Sequence, residues 1–220
     1  MNKCAVIISG GTLEEAFILE QLDQHKERFL IGVDKGAAFL YSHHIQPDYI
    51  VGDFDSLPSE IERYYKEETA VPMKEFNPMK DNSDTEIAVL LAMERGCREI
   101  YLYGATGTRL DHVVANIQTL SLPHRAGIHA EILDGCNRIR LIEKEEIIYK
   151  NEMFGKYFSV FPLEGCVEHF NIEGAEYPLE DYTLTPYNSR CVSNQAKEDK
   201  VRITFPKGIV ILMETRDNVI

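Results

Sequence analysis

Residues 49–57 read Tyr-Ile-Val-Gly-Asp-Phe-Asp-Ser-Leu, a short apolar run that ends abruptly in two carboxylates. In an extended backbone, side chains at positions i and i+2 lie on the same face, so Asp53 and Asp55 can reach one divalent cation. Gly52 has no Cβ atom and leaves room for a ligand or a loop. Carboxylate oxygens suit a hard ion such as Mg²⁺. The alternative at this point is an ordinary strand end followed by an Asp-Ser turn.

Two similar strand patterns precede this stretch. Residues 4–8 are apolar and lead through Ser9-Gly10-Gly11-Thr12 into a helical pattern, and residues 29–33 lead through Asp34-Lys35-Gly36 into another. Three strands joined by two helices favour a parallel sheet with right-handed crossovers. Because ligands gather at the carboxyl ends of such strands, we expect the residues at these three strand ends to converge. The paired glycines predict either a phosphate-binding loop or a plain tight turn.

Two patterns of Thr or Ser followed three residues later by Glu predict capped helix starts. They are Thr12 with Glu15 and Ser83 with Glu86. The second pattern places Asp84 at the first helical position, where it either complements the helix dipole or serves as a third metal carboxylate. The region before it, from residue 58 to residue 78, is polar and charged, with a spacing that allows a short helix.

A further strand pattern, residues 99–103, leads into a loop and helix start at residues 104–112. Glycines, hydroxyls and one arginine after a strand suit a nucleotide contact, because Arg109 supplies planar, permanently charged donors. The dipeptide Asp111-His112 is more typical of a structural role than of a catalytic one. After His129–Leu133 the pattern changes to short strands and turns, which predicts a separate all-β domain, an antiparallel sandwich or partly open barrel.

The last two strand patterns, residues 201–205 and 209–213, flank Pro206-Lys207-Gly208 and predict a β-hairpin.

Composition limits the class of protein. A chain of 220 residues with 44% hydrophobic residues can fill a proper core. The net charge of −13 argues against an extended surface that binds nucleic acid or anionic lipid by charge. It does not exclude a nucleotide, which needs only a local site and a metal. No apolar run approaches the roughly 20 residues needed to cross a bilayer, and no signal-peptide pattern is present. With five scattered cysteines, we expect reduced thiols and a cytoplasmic location.

Taken together, these residues resemble the thiamine pyrophosphokinase family. The order and spacing of the shared motifs cover nearly the whole chain. The motifs are Val33-Asp34-Lys35-Gly36-Ala37, Gly52-Asp53-Phe54-Asp55-Ser56, Lys80-Asp81-Asn82-Ser83-Asp84-Thr85-Glu86, residues 104–112 with Asn116, and Ser193-Asn194.

The resemblance implies an α/β fold, with an N-terminal, mostly parallel, Rossmann-like three-layer domain followed by a C-terminal all-β sandwich or barrel-like domain. Residues 1–136 would form the catalytic domain that binds the nucleotide and Mg²⁺. Residues 137–220 would contribute thiamine binding and dimer contacts. The implied reaction converts thiamine and ATP into thiamine diphosphate and AMP, in a homodimer with active sites at the subunit interface.

The resemblance also implies roles for individual residues. Asp53, Asp55 and Asp84 would hold Mg²⁺, with Asp81 nearby. A separate hypothesis is that an aspartate of this cluster accepts the proton of the thiamine hydroxyl, for which Asp81 and Asp111 are the candidates. The residues implied on the nucleotide side are Asp34, Lys35, Thr106, Arg109, His112 and Asn116.

On the thiamine side, the resemblance implies Ser193 and Asn194. Some family members place a tryptophan just beyond this Ser-Asn pair, whereas this chain contains no tryptophan. Some also carry Asp-Gly-Gly-Ala-Asn where this chain has Asp34-Lys35-Gly36-Ala37-Ala38. An aromatic ring that stacks on thiamine must therefore be a tyrosine or a phenylalanine, which the sequence does not identify.

Three alternatives compete with this reading. In a haloacid-dehalogenase-like phosphatase, Asp53 would be a nucleophile and Asp55 an acid/base, but the chain lacks a convincing set of the later lysine and paired aspartates. A pterin pyrophosphokinase would release AMP as well and would differ only in its acceptor. A non-catalytic nucleotide or thiamine sensor is hard to reconcile with three crowded carboxylates, which repel one another without a metal.

Overall fold

The structure, a computed structural model, describes residues 3–52, 57–75 and 82–217. The chain divides into two compact units, Met1–Asp134 and Gly135–Ile220. In its described part, the first unit alternates strands and helices. Its strands are β1 (Lys3–Ile8), β2 (Arg28–Val33), β3 (Tyr49–Gly52), β4 (Met73–Glu75), β5 (Cys97–Tyr103) and β6 (His129–Leu133). Its helices are α1 (Glu15–Gln24), α2 (Lys35–Ser42), α3 (Ser59–Arg63), α4 (Asp84–Glu94), α5 (Leu110–Thr119) and α6 (Ser121–Arg125), with a π-helix, Tyr64–Glu68, after α3.

The strands of the first unit lie side by side and parallel in the order β4-β3-β2-β1-β5-β6. The chain moves outward from β1 to β4 and then crosses back to β5 on the other side of β1. Because such crossovers are right-handed, α1 and α2 lie on one face of the sheet, and α4 and α5 lie on the other. Residues 5–8 of β1 are fully buried, as expected for a strand covered on both faces. The predicted parallel three-layer α/β fold is confirmed.

The edge strand β4 is a feature that the sequence pattern missed. It spans three residues and pairs in parallel with β3, with Met73 opposite Ile50. A strand this short carries too few residues for an alternation pattern to be recognised. The helical spacing that the same region showed is confirmed, because α3 and the π-helix bury Tyr65, whose hydroxyl donates to the Ala37 carbonyl at 3.1 Å.

The second unit consists of antiparallel strands in its described part. One group has the strand Val210–Thr215 between Asn137–Ile142 and Tyr157–Pro162, and the other has the order Leu179–Leu184, Val167–Glu173, Lys200–Thr204, Glu145–Tyr149. The inward side chains of both groups, among them Phe158, Phe170 and Leu212, form one buried core. The predicted antiparallel sandwich is therefore confirmed. The strands are β7 (Asn137–Ile142), β8 (Glu145–Tyr149), β9 (Tyr157–Pro162), β10 (Val167–Glu173), β11 (Leu179–Leu184), β12 (Lys200–Thr204) and β13 (Val210–Thr215).

The predicted hairpin of the last two strands is wrong. Strand β12 pairs with β10 and β8, whereas β13 pairs with β7 and β9, so the connection at Pro206-Lys207-Gly208 passes from one layer of the sandwich to the other. Val201 and Leu212 both point into the same core from facing layers. A hairpin and a layer crossing require the same alternation of apolar residues, which is why the pattern alone did not separate them.

None of the helices in the described part of the chain is long and apolar enough to cross a membrane.

Candidate active site

A cavity of about 360 Å³ opens in the first unit at the carboxyl ends of β1 and β5. These two strands are the point at which the strand order reverses, which is where ligands bind in open α/β sheets. The walls consist of backbone and mostly short side chains, with polar and apolar atoms in similar shares. The lining residues are Ser9, Gly10, Gly11, Thr12, Asp34, Lys35, Thr85, Gly104, Ala105, Thr106, Gly107, Thr108, Arg109, His112, Val113 and Asn116.

The loops after β1 and β5 are joined by hydrogen bonds between their backbones. The Gly11 N–H donates to the Gly104 carbonyl at 2.8 Å, and the Thr12 N–H donates to the Thr106 carbonyl at 2.7 Å. A Cβ atom at Gly11 would lie 2.1 Å from the Thr106 carbonyl oxygen, so only glycine fits at this position. Both N–H groups therefore donate hydrogen bonds within the protein. Neither supports the phosphate-binding role that the sequence allowed for the glycine pair.

The predicted capping box at Thr12 and Glu15 is also wrong. Helix α1 begins at Glu15, and its N-cap residue is Glu14, which makes no side-chain capping bond. The physical reason is the loop contact just described, because the Thr12 amide is bound to the Thr106 carbonyl two residues before the cap. Thr12 therefore belongs to the cavity wall rather than to the helix start.

The end of β3 packs against Asp34. Asp34 has a left-handed backbone with φ of 48°, which is rare for a residue other than glycine and stores strain. A Cβ atom at Gly52 would lie 2.4 Å from the Asp34 Oδ1 atom, so Gly52 allows this carboxylate to reach the end of β3. The Asp34 carboxylate thus lies beside Gly52, the residue that precedes Asp53 in the sequence.

Helix α4 starts at the same edge of the sheet, and its predicted cap is confirmed. The Ser83 hydroxyl accepts a hydrogen bond from the Glu86 amide at 3.2 Å, and Asp84 is the first helical residue. The next residue, Thr85, lies in the cavity wall, where its hydroxyl is 3.1 Å from the Ser9 hydroxyl. Helix α4 therefore brings one predicted metal carboxylate to the neighbourhood of the cavity.

The carboxylates predicted to hold a metal are only partly described. Asp53, Asp55 and Asp81 lie outside the described residues, and within residues 3–52, 57–75 and 82–217 no group of three or more metal-binding side chains is found. Nevertheless, the donor set that the motif supplies consists of carboxylate oxygens only, next to a strand end where the Asp34 carboxylate already lies. This chemistry fits Mg²⁺.

Helix α5 carries three of the predicted residues, Asp111, His112 and Asn116, and a fourth, Arg109, is its N-cap residue. The Arg109 guanidinium forms an ion pair with Asp111 at 2.6 Å, and this hydrogen bond lowers the pKa of Asp111. Arg109 and His112 line the cavity, whereas Asp111 does not. Asn116 is buried in the cavity wall, where its amide donates to the Ala105 carbonyl at 2.7 Å and holds the loop after β5 in place.

Thr106, in the same loop, is held from the other side. Its hydroxyl donates to the Asp134 carboxylate at 2.7 Å. Thr106 and Asn116 therefore shape the cavity with their side chains, and the charged groups among its described lining residues are Asp34, Lys35 and Arg109.

Ser193 and Asn194, the residues predicted to face thiamine, belong to the second unit. Ser193 is exposed and has a left-handed backbone with φ of 58°. Asn194 is buried, and its side chain forms two hydrogen bonds with the backbone of Tyr177. The Asn194 Oδ1 atom accepts from the Tyr177 amide at 3.0 Å, and the Nδ2 group donates to the Tyr177 carbonyl at 2.8 Å. Asn194 therefore fixes the position of an aromatic residue.

Three residues near these two regions were missed by sequence reasoning. Thr85 and Val113 line the cavity, and Tyr177 lies beside Asn194 with 63% of its surface exposed. Thr85 lies within the motif at residues 80–86, between Asp84 and Glu86, which were the residues given roles there. Tyr177 is distant in sequence from Asn194 and belongs to no motif that we recognised, so only the fold connects the two residues.

Comparison with known proteins covers both units. The family model for the thiamin pyrophosphokinase catalytic domain matches residues 21–132, and the model for the thiamin pyrophosphokinase vitamin B1 binding domain matches residues 144–210. The chain is 31% identical over 187 residues to the thiamine pyrophosphokinase of Bacillus subtilis (strain 168), which covers 85% of this chain and 87% of that protein.

Solved structures give the same result. The crystal structure of thiamine pyrophosphokinase from Bacillus subtilis has a TM-score of 0.86 and 29% identity, and covers 98% of this chain and 100% of that chain. The structure of thiamin pyrophosphokinase from Geobacillus thermodenitrificans has a TM-score of 0.82 and 27% identity, with coverage of 98% and 99%. The likeness therefore extends over nearly the whole chain.

Proposed function

The chain belongs to the thiamine pyrophosphokinase family, whose members are enzymes, and we propose that it transfers the pyrophosphoryl group of ATP to the hydroxyl of thiamine. The products would be thiamine diphosphate and AMP. The observation that carries this proposal is the cavity between β1 and β5, in which residues from three separate family motifs lie together. A phosphatase of the haloacid-dehalogenase type is not favoured by the family matches.

The nucleotide would bind in this cavity. Its described walls contain two basic side chains, Lys35 and Arg109, in a chain whose net charge is −13. Lys35 is exposed, and no carboxylate in residues 3–52, 57–75 or 82–217 forms an ion pair with it. Lys35 can therefore bind the triphosphate directly, whereas Arg109 already forms an ion pair with Asp111. Asp34, Thr106, His112 and Asn116 complete the wall on which ATP would lie.

Mg²⁺ would be held by Asp53, Asp55 and Asp84. When bound, the ion would neutralise phosphate oxygens and help to orient an in-line displacement. The remaining work belongs to the protein, because catalysis of phosphoryl transfer is mostly positioning and charge stabilisation. No activated serine or cysteine nucleophile is required.

The thiamine hydroxyl would attack the β-phosphorus, the bond from that phosphorus to the α-phosphate oxygen would break, and AMP would leave. The hydroxyl proton must pass to a base, for which Asp81 and Asp111 are the candidates. Because the hydrogen bond from Arg109 lowers the pKa of Asp111, that carboxylate is a weaker base than an ordinary aspartate. Asp81 is therefore our preferred proton acceptor. A pH–rate profile of Asp81→Asn that matches the parent would remove this role.

The thiamine side is assigned to Ser193, Asn194 and Tyr177 of the second unit. A cavity of about 300 Å³ in this unit is lined by Tyr177, Asn194, Arg190 and Cys191, among others. Tyr177 is mostly exposed, while its backbone is fixed by Asn194 at both the amide and the carbonyl. An exposed ring on a fixed backbone is well suited to pack on a flat heterocycle such as the pyrimidine or the cationic thiazolium ring of thiamine. We therefore assign Tyr177 as the aromatic contact of thiamine.

Replacing Tyr177 with alanine is expected to raise the KM for thiamine about 10-fold, since a lost aromatic contact costs on the order of 1 kcal/mol or more. Tyr177→Phe keeps the ring and should stay within about twofold of the parent. The KM for ATP should not change in either variant. Steady-state kinetics with each substrate varied in turn measures this, and an unchanged thiamine KM in Tyr177→Ala would remove the assignment.

Residues 1–136 are assigned to nucleotide and metal binding, and residues 137–220 to thiamine binding and dimer contacts. Further dimer contacts in the first unit are supported by helix α5, on which Leu110 and Val114 lie one turn apart with 73% and 55% of their surfaces exposed. Neighbouring apolar side chains that are exposed in this way favour a surface that another protein chain covers. A cytoplasmic location belongs to the same proposal, because all five cysteines are free thiols.

The aspartate variant Leu110→Asp is expected to weaken dimerisation at least about 10-fold, because it would place a charge in an apolar contact. Sedimentation equilibrium of the parent and the variant measures the dissociation constant. Leu90→Asp on α4, a leucine that is 40% exposed, is the matched control and should leave the dimer intact. A monomeric parent protein would contradict the proposed dimer.

The proposed activity is tested with the purified protein, ATP, Mg²⁺ and a panel of acceptors, with AMP and ADP separated chromatographically. We expect AMP to form from ATP only when thiamine is present. Equal activity with a pterin alcohol would favour a pterin pyrophosphokinase. Phosphate release from a phosphate monoester without ATP would favour a phosphatase.

A further inference from the structure

Two buried hydroxyl groups meet in the wall of the nucleotide cavity. Ser9 follows the last residue of β1, and Thr85 is the second residue of α4. Their hydroxyl oxygens are 3.1 Å apart, and the two residues are only 2% and 9% exposed. The pair joins the first loop of the cavity to the helix that carries Asp84.

The hydrogen bond between the two hydroxyls leaves one donor unused. Each hydroxyl has one proton and can accept two hydrogen bonds. Whichever group donates to the other, the accepting hydroxyl keeps its own proton. In the described part of the chain, no other side-chain hydrogen bond is made by Ser9 or Thr85. Since buried polar groups are normally satisfied, the remaining donor calls for an acceptor that enters the cavity.

The surroundings favour an anionic acceptor. Thr85 lies in the first turn of the eleven-residue helix α4, where the helix dipole presents its positive end. Gly10 and Lys35 line the same cavity. No atom comes closer than 3.6 Å to the position of a Cβ atom at Gly10, so a ligand can approach the backbone there, and Lys35 adds a basic side chain. A phosphate oxygen suits all of these features better than a neutral ring nitrogen does.

Resting on the proposed function, we propose that the Ser9–Thr85 hydroxyl pair donates a hydrogen bond to a phosphate oxygen of ATP. The bound phosphate would complete the hydrogen bonding of the pair and tie the loop after β1 to the start of α4. Nucleotide binding would then fix the first turn of the helix on which Asp84 lies. This adds two residues outside the predicted site to the recognition of ATP.

The test is direct binding of the non-cleavable analogue α,β-methylene ATP, with Mg²⁺, to the full chain by calorimetry. Ser9→Ala and Thr85→Val should each raise the Kd about 10-fold, as for one lost hydrogen bond to a charged group. The double variant should be little weaker than either single variant, because the pair acts as a unit. Thr85→Ser keeps the hydroxyl and should bind like the parent.

Two outcomes would overturn the inference in distinguishable ways. If the parent binds the analogue and Ser9→Ala and Thr85→Val bind it equally well while unfolding at lower urea concentration, the pair is only a structural link. If the parent itself does not bind the analogue, the proposed function fails together with the inference. Thiamine affinity, measured on the same variants, should remain within about twofold of the parent.

Discussion

Replacing Asp84 with asparagine is expected to lower kcat by about 1,000-fold or more, with little effect on folding. Asp84 is the first residue of α4 and the only one of the three proposed metal carboxylates within the described residues. Asparagine keeps the shape of the side chain but removes the charge that a hard cation requires. Steady-state kinetics over a range of Mg²⁺ concentrations would show both a lower kcat and a higher Mg²⁺ requirement.

The competing role of Asp84 is a favourable interaction with the helix dipole, worth about 0.3–1 kcal/mol. In that case Asp84→Asn would lower the free energy of unfolding slightly and would leave kcat unchanged. Glu94→Gln, at the other end of the same helix, is the matched control and should be fully active. Full activity in Asp84→Asn would remove the metal-site account of the acidic motifs.

The second large effect is expected at Gly11. In Gly11→Ala, the new methyl group would lie 2.1 Å from the Thr106 carbonyl oxygen and 2.5 Å from the Gly104 carbonyl oxygen. Both neighbours are backbone atoms that accept hydrogen bonds from the same loop, so neither can yield without losing a bond. We expect the free energy of unfolding to fall by about 3 kcal/mol and ATP binding to be lost.

The adjacent glycine provides the control for this prediction. A Cβ atom at Gly10 would meet its nearest neighbours at 3.6 Å, which is ordinary van der Waals contact. Gly10→Ala should therefore change the free energy of unfolding by no more than about 1 kcal/mol. Urea unfolding of both variants measures the difference, and equal stability of the two would show that the loops after β1 and β5 are not locked as described.

The convergence of the cavity residues could be predicted because it depends on regular structure. In a parallel sheet every strand ends at the same edge, so motifs that follow strands meet there. This reasoning correctly brought Asp34 and the loop after β1 to one cavity, which Arg109, predicted separately as a nucleotide contact, also lines. The start of α4 could be predicted for a similar reason, since the Ser83 cap is formed within four residues of sequence.

Other features depend on contacts between distant segments, which local patterns do not encode. The Gly11 amide was expected to be available for phosphate, but it donates to the Gly104 carbonyl in the loop after β5. The last two strands alternate correctly for a hairpin and yet belong to different layers of the sandwich. Tyr177 acquires its place only because Asn194 holds its backbone.

The reaction proposed for this enzyme is tested most directly by following both transferred phosphates. The purified protein is incubated with Mg²⁺, thiamine and ATP that is labelled separately at the β- or the γ-phosphate, and all products are separated. We predict AMP and thiamine diphosphate in equal amounts, with both labels in thiamine diphosphate. Formation of ADP with label in thiamine monophosphate, or release of the γ-label as free phosphate, would contradict attack at the β-phosphorus.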